Sequence, residues 1–311
     1  MLTPPTFVDD ATISRAVGAH WLPEVDTLDH LPWGFGAHHW RATGAGRALF
    51  VTLDQLAPRH TAASLEAAYR GAAALAASGL DVVCAPLPTR SGRFTADAGR
   101  GALSVTPWLD GRTPSEDDAA APAHVAVVLA ALDALHRTVP PDGLPVWAPR
   151  VGPGFAARLR EATRSPWTSG PLAEEARGLL AGNAAAITAW TARYLELAGR
   201  AAARRDHWVP THGEPHHANQ VVTGDGLRLV DWESLALAPA ERDLVDLAGH
   251  AQADPEMIEL FQLDWRLSEL DEYARWFAAP HTGTDDDHTA LDGLREELAD
   301  AENPLPARRP S

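Results

Sequence analysis

No lysine occurs in the 311 residues: all 26 basic side chains are arginine, set against 42 acidic ones, and the formal net charge is −16. Chemistry that needs a side-chain ammonium must therefore use another group. The acidic balance repels phosphate backbones and anionic headgroups, so neither nucleic acid nor a membrane surface is an expected partner. Cysteine is nearly absent as well. The single Cys84 can form no disulfide within the chain, which fits a reducing compartment. The opening MLTPPTFVDDATISRAVG lacks the basic-then-apolar order of a signal peptide. The most apolar stretch, HVAVVLAALDAL, is broken by Asp133 and is too short to cross a bilayer. A cytoplasmic protein is expected.

What is present is ordinary globular material, 45% hydrophobic and 22% charged, in a length that suits one large two-lobed domain or two small ones. Residues 1–30 read as an irregular lead-in with one short helix. AHHWRAT and ALFVTL, separated by the turn signal GAGR, read as a hairpin, and WGFG before them as a glycine turn. TAASLEAAYRGAAALAAS is built from strong helix formers, with Thr61 placed to cap it and Gly79 to end it. DVVCAPLP reads as a short strand, and RFTADAGRGALSVTPWL as two more around a glycine. After the polar LDGRTPSEDD the chain turns helical. Ser115 caps an acidic first turn, and Val125, Val128, Leu129, Leu132 and Leu135 follow helical spacing. Further helices are expected over about 155–163, 172–203 and 240–278, with a frayed acidic, then Pro/Arg-rich, end.

Between these helical blocks lies VPTHGEPHHANQVVTGDGLRLVDWE. Its histidines suggest a metal, but Pro215 blocks a regular helix across the cluster and no second Cys/His cluster occurs, so a zinc site is disfavoured. Phosphoryl transfer needs different parts: a carboxylate to take or orient the proton of the attacking hydroxyl, and an amide oxygen plus a second carboxylate for magnesium. Glu214 and Asn219 stand five positions apart, as the base and asparagine of a kinase catalytic loop do. TGDG is a tight hairpin signal between QVV and LRLVD. A hairpin folds back on itself, which would return Asp231 to the neighbourhood of Asn219 and aim two hard oxygen ligands at one magnesium.

In His212, Gly213, His216, Asn219, Asp231 and Trp232 the sequence resembles the aminoglycoside phosphotransferase family, whose loop reads H-G-D-x-x-x-x-N followed by an I-D-W/F-type segment. The resemblance runs over roughly residues 30–280. It implies an α+β, protein-kinase-like two-lobed fold, with a small antiparallel sheet lobe carrying one helix and a larger helical lobe. The expected division is a nucleotide-binding lobe at 1–108, a hinge at 109–114, a helical catalytic and substrate lobe at 115–280 and a flexible tail at 281–311. It further implies transfer of the γ-phosphate of ATP or GTP, with Mg2+, to a small-molecule hydroxyl, an antibiotic or related natural product. Glu214 would be the catalytic residue, Asn219 and Asp231 the metal ligands, and His212, His216 and Asp243 the supports of the loop. Gly34, Gly36, Arg41 and Trp108 would line the nucleotide site.

The sequence departs from the family pattern at two places. Glu214 stands where the family has Asp, one methylene longer with nearly the same intrinsic acidity. The third strand, ALFVTLDQL, lacks the lysine that would meet the phosphates; Thr52 or Asp54 occupies its neighbourhood. Arg41, or failing it His38 or His39, is the expected replacement cation, and Glu66 the carboxylate left without its lysine. The competing reading is a pseudokinase that binds nucleotide or ligand without transfer.

Overall fold

The computed structural model describes residues 1–299 apart from 35, 57, 58 and 100. Phe35 of the WGFG turn and residues 300–311 of the expected tail lie outside the described residues. Contacts divide the described residues into two compact units, one of residues 1–146 with 209–243, the other of residues 147–208 with 244–299. No helix among the described residues is long and apolar enough to cross a membrane.

The first unit opens with α1 (Asp10–His20), capped by the Asp9 side chain, and strand β1 (Thr27–Leu31). The expected hairpin follows as β2 (Ala37–Gly44) and β3 (Arg47–Gln55). Its turn puts Ala45 and Gly46 at φ of 50° and 72°, matching the twist of the two strands. α2 (Ala62–Ala77) starts at Thr61, which forms a capping box with Ser64, and Gly79 ends it at φ 93°. β4 (Ala96–Ala98) and β5 (Gly101–Pro107) complete an antiparallel sheet in the order β1-β2-β3-β5-β4. Period-two alternation gives the sheet two buried faces. Leu49, Val51 and Leu53 meet Ile13, Val17 and Trp40 on the α1 side. Ala102 meets Leu65 and Tyr69 of α2 on the other.

The segment 109–114, expected as a hinge, contributes β6 (Gly111–Arg112), which pairs with a later strand. A single helix was expected after Ser115. Instead α3 (Glu116–Ala120) stops and α4 (Pro122–Arg137) begins, because the residue before proline is driven out of the helical region: Ala121 sits at φ −62°, ψ 131°. β7 (Val209–Thr211), β8 (Gln220–Thr223), β9 (Gly226–Leu229) and β10 (Ala236–Ala238) finish the unit. β6 joins the β8–β9 hairpin, β10 pairs with β7, and α4 packs on β7. Those contacts are why the first unit runs past the expected boundary to residue 146. DVVCAPLP makes a single parallel bridge, Val83 to Leu229, with two backbone bonds around it rather than a strand.

The second unit is helical: α5 (Phe155–Ala162), α6 (Ala173–Gly182), α7 (Ala184–Ala202), α8 (Pro255–Ala278) and α9 (Asp285–Ala299). Short 3-10 turns, not α-helix, occupy most of 240–247. α8 is its centre, burying Leu260, Phe261, Leu263, Leu267, Leu270 and Phe277. Within the tail expected to be flexible from 281, residues 285–299 form α9. Ala290, Leu291, Leu294 and Leu298 are buried on it, and the Asp287 carboxylate accepts from the Gly283 and Thr284 amides.

Candidate active site

The loop after β7 is built around a buried carboxylate. Asp243, 2% exposed, accepts the His212 amide at 3.0 Å on Oδ2, the Gly213 amide at 2.6 Å on Oδ1 and His136 Nε2 at 2.9 Å on Oδ2. Burial alone would raise its pKa. The His136 bond and charge, His212 and the Gly213 amide outweigh that and hold it below the usual carboxylate value. Gly213 stands at φ 99°, and a Cβ there would lie 2.4 Å from the Arg242 guanidinium carbon. Arg242 in turn donates to Thr211 Oγ1 and to the Ser234 carbonyl. Only glycine meets both demands.

His212 is held as a neutral ring. The Glu214 amide donates to its Nδ1 at 3.2 Å, so Nε2 carries the proton and donates to the Val230 carbonyl at 2.8 Å. Desolvation is the main reason its pKa is lowered. The ring also packs edge-on against Trp232, with centroids 4.5 Å apart. One imidazole thus ties the loop to the residue preceding Asp231.

Glu214 is buried, and Ser234 Oγ donates to its Oε1 at 3.2 Å. Asn219 spends its amide nitrogen on the Glu214 carbonyl at 2.9 Å, so the atom left for a cation is Oδ1. His216 Nε2 lies 3.5 Å from the same amide nitrogen. A second amide, Gln220, donates to the Pro215 carbonyl at 2.8 Å and accepts from His124 on α4 at 2.6 Å. The stretch between Glu214 and Asn219 is therefore pinned at both ends.

The β8–β9 hairpin pairs Gln220 with Leu229, and one step beyond the ladder the Val230 amide donates to the Asn219 carbonyl at 3.0 Å. That bond brings Asp231 beside Asn219. Asp231 sits at φ 64°, a left-handed conformation uncommon for a residue with a side chain. Its surface still reaches solvent, although protein crowds it. Desolvation, then the negative charges of Glu233, Glu214 and Asp54, raise its carboxyl pKa well above the usual range, while Arg59 pulls it the other way. A carboxylate so surrounded by like charge gains from a cation beside it. No group of three or more His, Cys, Asp or Glu side chains among the described residues is arranged to hold a metal. Asn219 Oδ1 and Asp231 are instead a pair of hard oxygens, and magnesium characteristically takes one or two protein oxygens and completes its shell with phosphate and water.

On the sheet, Gly34 and Gly36 lie in the turn between β1 and β2 at φ 70° and 89°. The carbonyls of Trp33, Gly34 and Ala37 accept from the Met1 amino group at 3.0, 2.9 and 2.7 Å. Trp108 donates its backbone amide to Ala48. Its ring neighbours Phe50 and Trp33, with centroids 6.4 and 6.2 Å away. Arg41 lies over that ring at 4.7 Å, in a cation–π contact. His38 is buried and bonded to the Thr3 carbonyl. His39 stacks on Phe50, and desolvation, then the charge of the amino terminus, push its pKa down to about 3, so it is neutral at pH 7. Glu66 caps the 94–95 segment through the Phe94 and Thr95 amides. Asp54, at the end of β3, is 2% exposed and accepts from Tyr69 of α2 at 3.1 Å. Burial and the Glu233 charge raise its pKa, favouring the neutral acid.

Ser234, His124, His136, Tyr69, Arg59 and His60 were not singled out as site residues from sequence. The serine is three residues past Asp231 and nothing in its spacing signals a bond to Glu214. His136 carried a legible hint, a polar residue on an otherwise apolar helix face.

Residues 28–283 match the APH phosphotransferase enzyme family. Protein StrN of Streptomyces griseus is 31% identical over 253 residues, 74% of this chain and 76% of that one. The crystal structure of spectinomycin phosphotransferase APH(9)-Ia, in complex with ADP and spectinomycin, matches with a TM-score of 0.68 at 14% identity over 96% of each chain. The structure of a microcompartment-associated aminopropanol kinase matches at 0.63 with 15% identity, over 94% of this chain and 97% of that one. At such identities the structural likeness speaks for the fold, which is the α+β, kinase-like one expected. With the family match covering most of the sequence and carrying the Glu214, Asn219 and Asp231 segment inside it, the chain belongs to the APH phosphotransferase enzyme family.

Proposed function

We propose that the protein is a magnesium-dependent small-molecule kinase of the cytoplasm, moving the γ-phosphate of ATP or GTP to a hydroxyl of an antibiotic or related natural product. The observation that carries this reading is the pinned geometry of one loop and one hairpin. Asn219 bonds the Glu214 carbonyl, and the Val230 amide bonds Asn219, so a carboxylate, an amide oxygen and a second carboxylate share one neighbourhood. Family membership supports the reaction class. A spectinomycin kinase and an aminopropanol kinase among the proteins of like fold support a small hydroxylated acceptor.

Glu214 accepts the proton of the acceptor hydroxyl as its oxygen attacks the γ-phosphorus in line with the leaving nucleoside diphosphate. Ser234 orients that carboxylate through Oε1, so the extra methylene relative to aspartate is taken up by a fixed side chain rather than a swinging one. Magnesium, held by Asn219 Oδ1 and Asp231, would neutralise charge on the phosphates. His212, Asp243 and Arg242 touch none of the reacting atoms and hold the loop in place.

The test is to screen hydroxylated aminoglycosides, aminocyclitols and amino alcohols with Mg2+ and ATP or GTP, following nucleoside diphosphate release and product mass. Glu214→Gln should lower kcat by ~10²–10⁴-fold and leave nucleotide affinity unchanged. Full activity in that variant sinks the mechanism. Nucleotide binding with no transfer to any acceptor would leave a kinase-like binding protein instead.

A further inference from the structure

Glu214 is bracketed by two polar relays that both end on α4. On its amino-terminal side His136 of α4 bonds Asp243, and Asp243 takes the amides of His212 and Gly213. On its carboxy-terminal side the first link is Pro215. Proline has no N–H, so its carbonyl is the one backbone group by which that residue can be held. Gln220 Nε2 donates to it at 2.8 Å. A carbonyl only accepts, which fixes the orientation of the Gln220 amide and leaves Oε1 facing His124 Nε2 at 2.6 Å. Oε1 only accepts as well, so His124 Nε2 carries a proton and donates. Gln220 is 4% exposed, so a partner lost there is not simply replaced by bulk water. His124 lies in the first turn of α4, the turn that Pro122 starts after the break at Ala121.

Asn219 and Gln220 close the loop with successive side chains, Asn219 Nδ2 on the Glu214 carbonyl and Gln220 Nε2 on the Pro215 carbonyl, each five residues back. The Asn219 backbone amide holds the next carbonyl, that of His216, at 2.9 Å. Of these donors the Gln220 side chain is the one tied to α4. We propose that His124 and Gln220 are positioning residues for the phosphoryl transfer: through the Pro215 carbonyl they fix the backbone directly after Glu214 and so set the reach of its carboxylate to the acceptor hydroxyl. The proposal rests on the nucleotide-dependent transfer proposed above. The need for it follows from Glu214 itself, whose side chain is one methylene longer than that of aspartate. Ser234 steadies the carboxylate end, and the two relays steady the backbone end. A misplacement of about 1 Å at such a group costs on the order of a hundredfold in rate.

The experiment is steady-state kinetics of wild type, His124→Ala, Gln220→Met, their double variant, His124→Gln and His124→Met, with MgATP or MgGTP and the acceptor that wild type phosphorylates in the screen above. His124→Ala and Gln220→Met should each lower kcat by ~10–100-fold and leave both KM values within about twofold. The double variant should be no slower than the slower single one, because the two side chains act as one relay. His124→Gln places an amide N–H where the imidazole Nε2–H stood and should recover most of the loss. His124→Met, of like length but without a donor, should not. A role in packing alone gives these two the same turnover. If His124→Ala or Gln220→Met melts too low to assay, the His124→Gln and His124→Met pair carries the comparison. Wild-type kcat in His124→Ala or Gln220→Met overturns the proposal and leaves the proposed kinase standing, as do additive losses, a rise in KM at unchanged kcat, or equal turnover of His124→Gln and His124→Met. Failure of wild type to transfer phosphate to any acceptor overturns the kinase reading itself, and the proposal with it.

Discussion

Asp243→Asn asks how much of the loop depends on one buried charge, at almost no change in shape. The carboxylate takes three donors: the amides of His212 and Gly213 and the His136 ring. Replacing one oxygen by NH2 cannot satisfy them. With the new amine at Oδ1 it faces the Gly213 amide; at Oδ2 it faces the His212 amide. Either way one buried backbone donor meets a donor, at about 1–3 kcal/mol. The surviving bonds lose their charge assistance, so we expect about 2–4 kcal/mol in all. At ~2–4 °C per kcal/mol the melting temperature should fall by about 5–15 °C. The chain holds two compact units, so the informative readout is calorimetry paired with hydrogen exchange at residues 211–214, where protection should drop first. Asp243→Ala, which removes all three acceptors, should be worse. The wild-type contribution also has an acid limb. The folded pKa is lowered, so the stabilisation is present above the unfolded carboxyl value, about 3.9, and is lost as pH falls through the folded one. The asparagine variant should lack that limb. A melting temperature within a degree or two of wild type would refute the reasoning, because the amides of residues 212 and 213 would then have another acceptor.

Three further outcomes are expected. Gly213→Ala forces a side chain onto φ 99° and into Arg242; with strain of about 1–3 kcal/mol it should destabilise the loop and depress kcat more than KM, and wild-type turnover would show that Arg242 can move aside. The His39 ring, with its pKa pushed down to about 3, should show no titration by NMR between pH 8 and 5. The unfolded ring, near 6.5, binds more protons than the folded one across roughly pH 3–6.5, so this residue makes the fold less stable as pH falls through that window; a midpoint near 6.5 in the folded protein would contradict its burial. Leu294→Ala on α9, a fully buried position, should cost about 2–5 kcal/mol in the helical unit, measured by chemical denaturation, whereas a dangling tail would register nothing.

The local geometry at the centre of the candidate site was legible because it is local in sequence. A carboxylate, an asparagine five positions on, and an aspartate across a marked hairpin can be placed by turn geometry alone. What escaped were pairings that need the third dimension. Nothing in TLDHL announces a strand until β2 is there to pair with it. Glu66 looked like a partner awaiting a lysine, and it serves the backbone of Phe94 and Thr95 instead. The helix at 285–299 was readable in principle, since three aspartates favour a helix start and Ala290, Leu291, Leu294 and Leu298 keep one stripe; the acidic composition of the segment masked its period. Pro122 shows the opposite case, a local rule strong enough to split a helix, and visible in the sequence.

The first unit is discontinuous along the chain, and that has a consequence for how it is made. Among the described residues β6 pairs with β8, and α4 packs on β7. Residues 147–208, sixty-two of them, must be synthesised before either partner exists. At ~5–20 residues per second the ribosome holds the nascent chain in that state for about 3–12 s. During the interval an edge strand and the apolar face of a helix stand uncovered, while the helices of α5 to α7 emerge and can form from local contacts. The loop bearing Glu214 is thus among the last parts of its unit to be assembled, and a nascent chain halted before residue 209 has a sheet but no candidate chemistry.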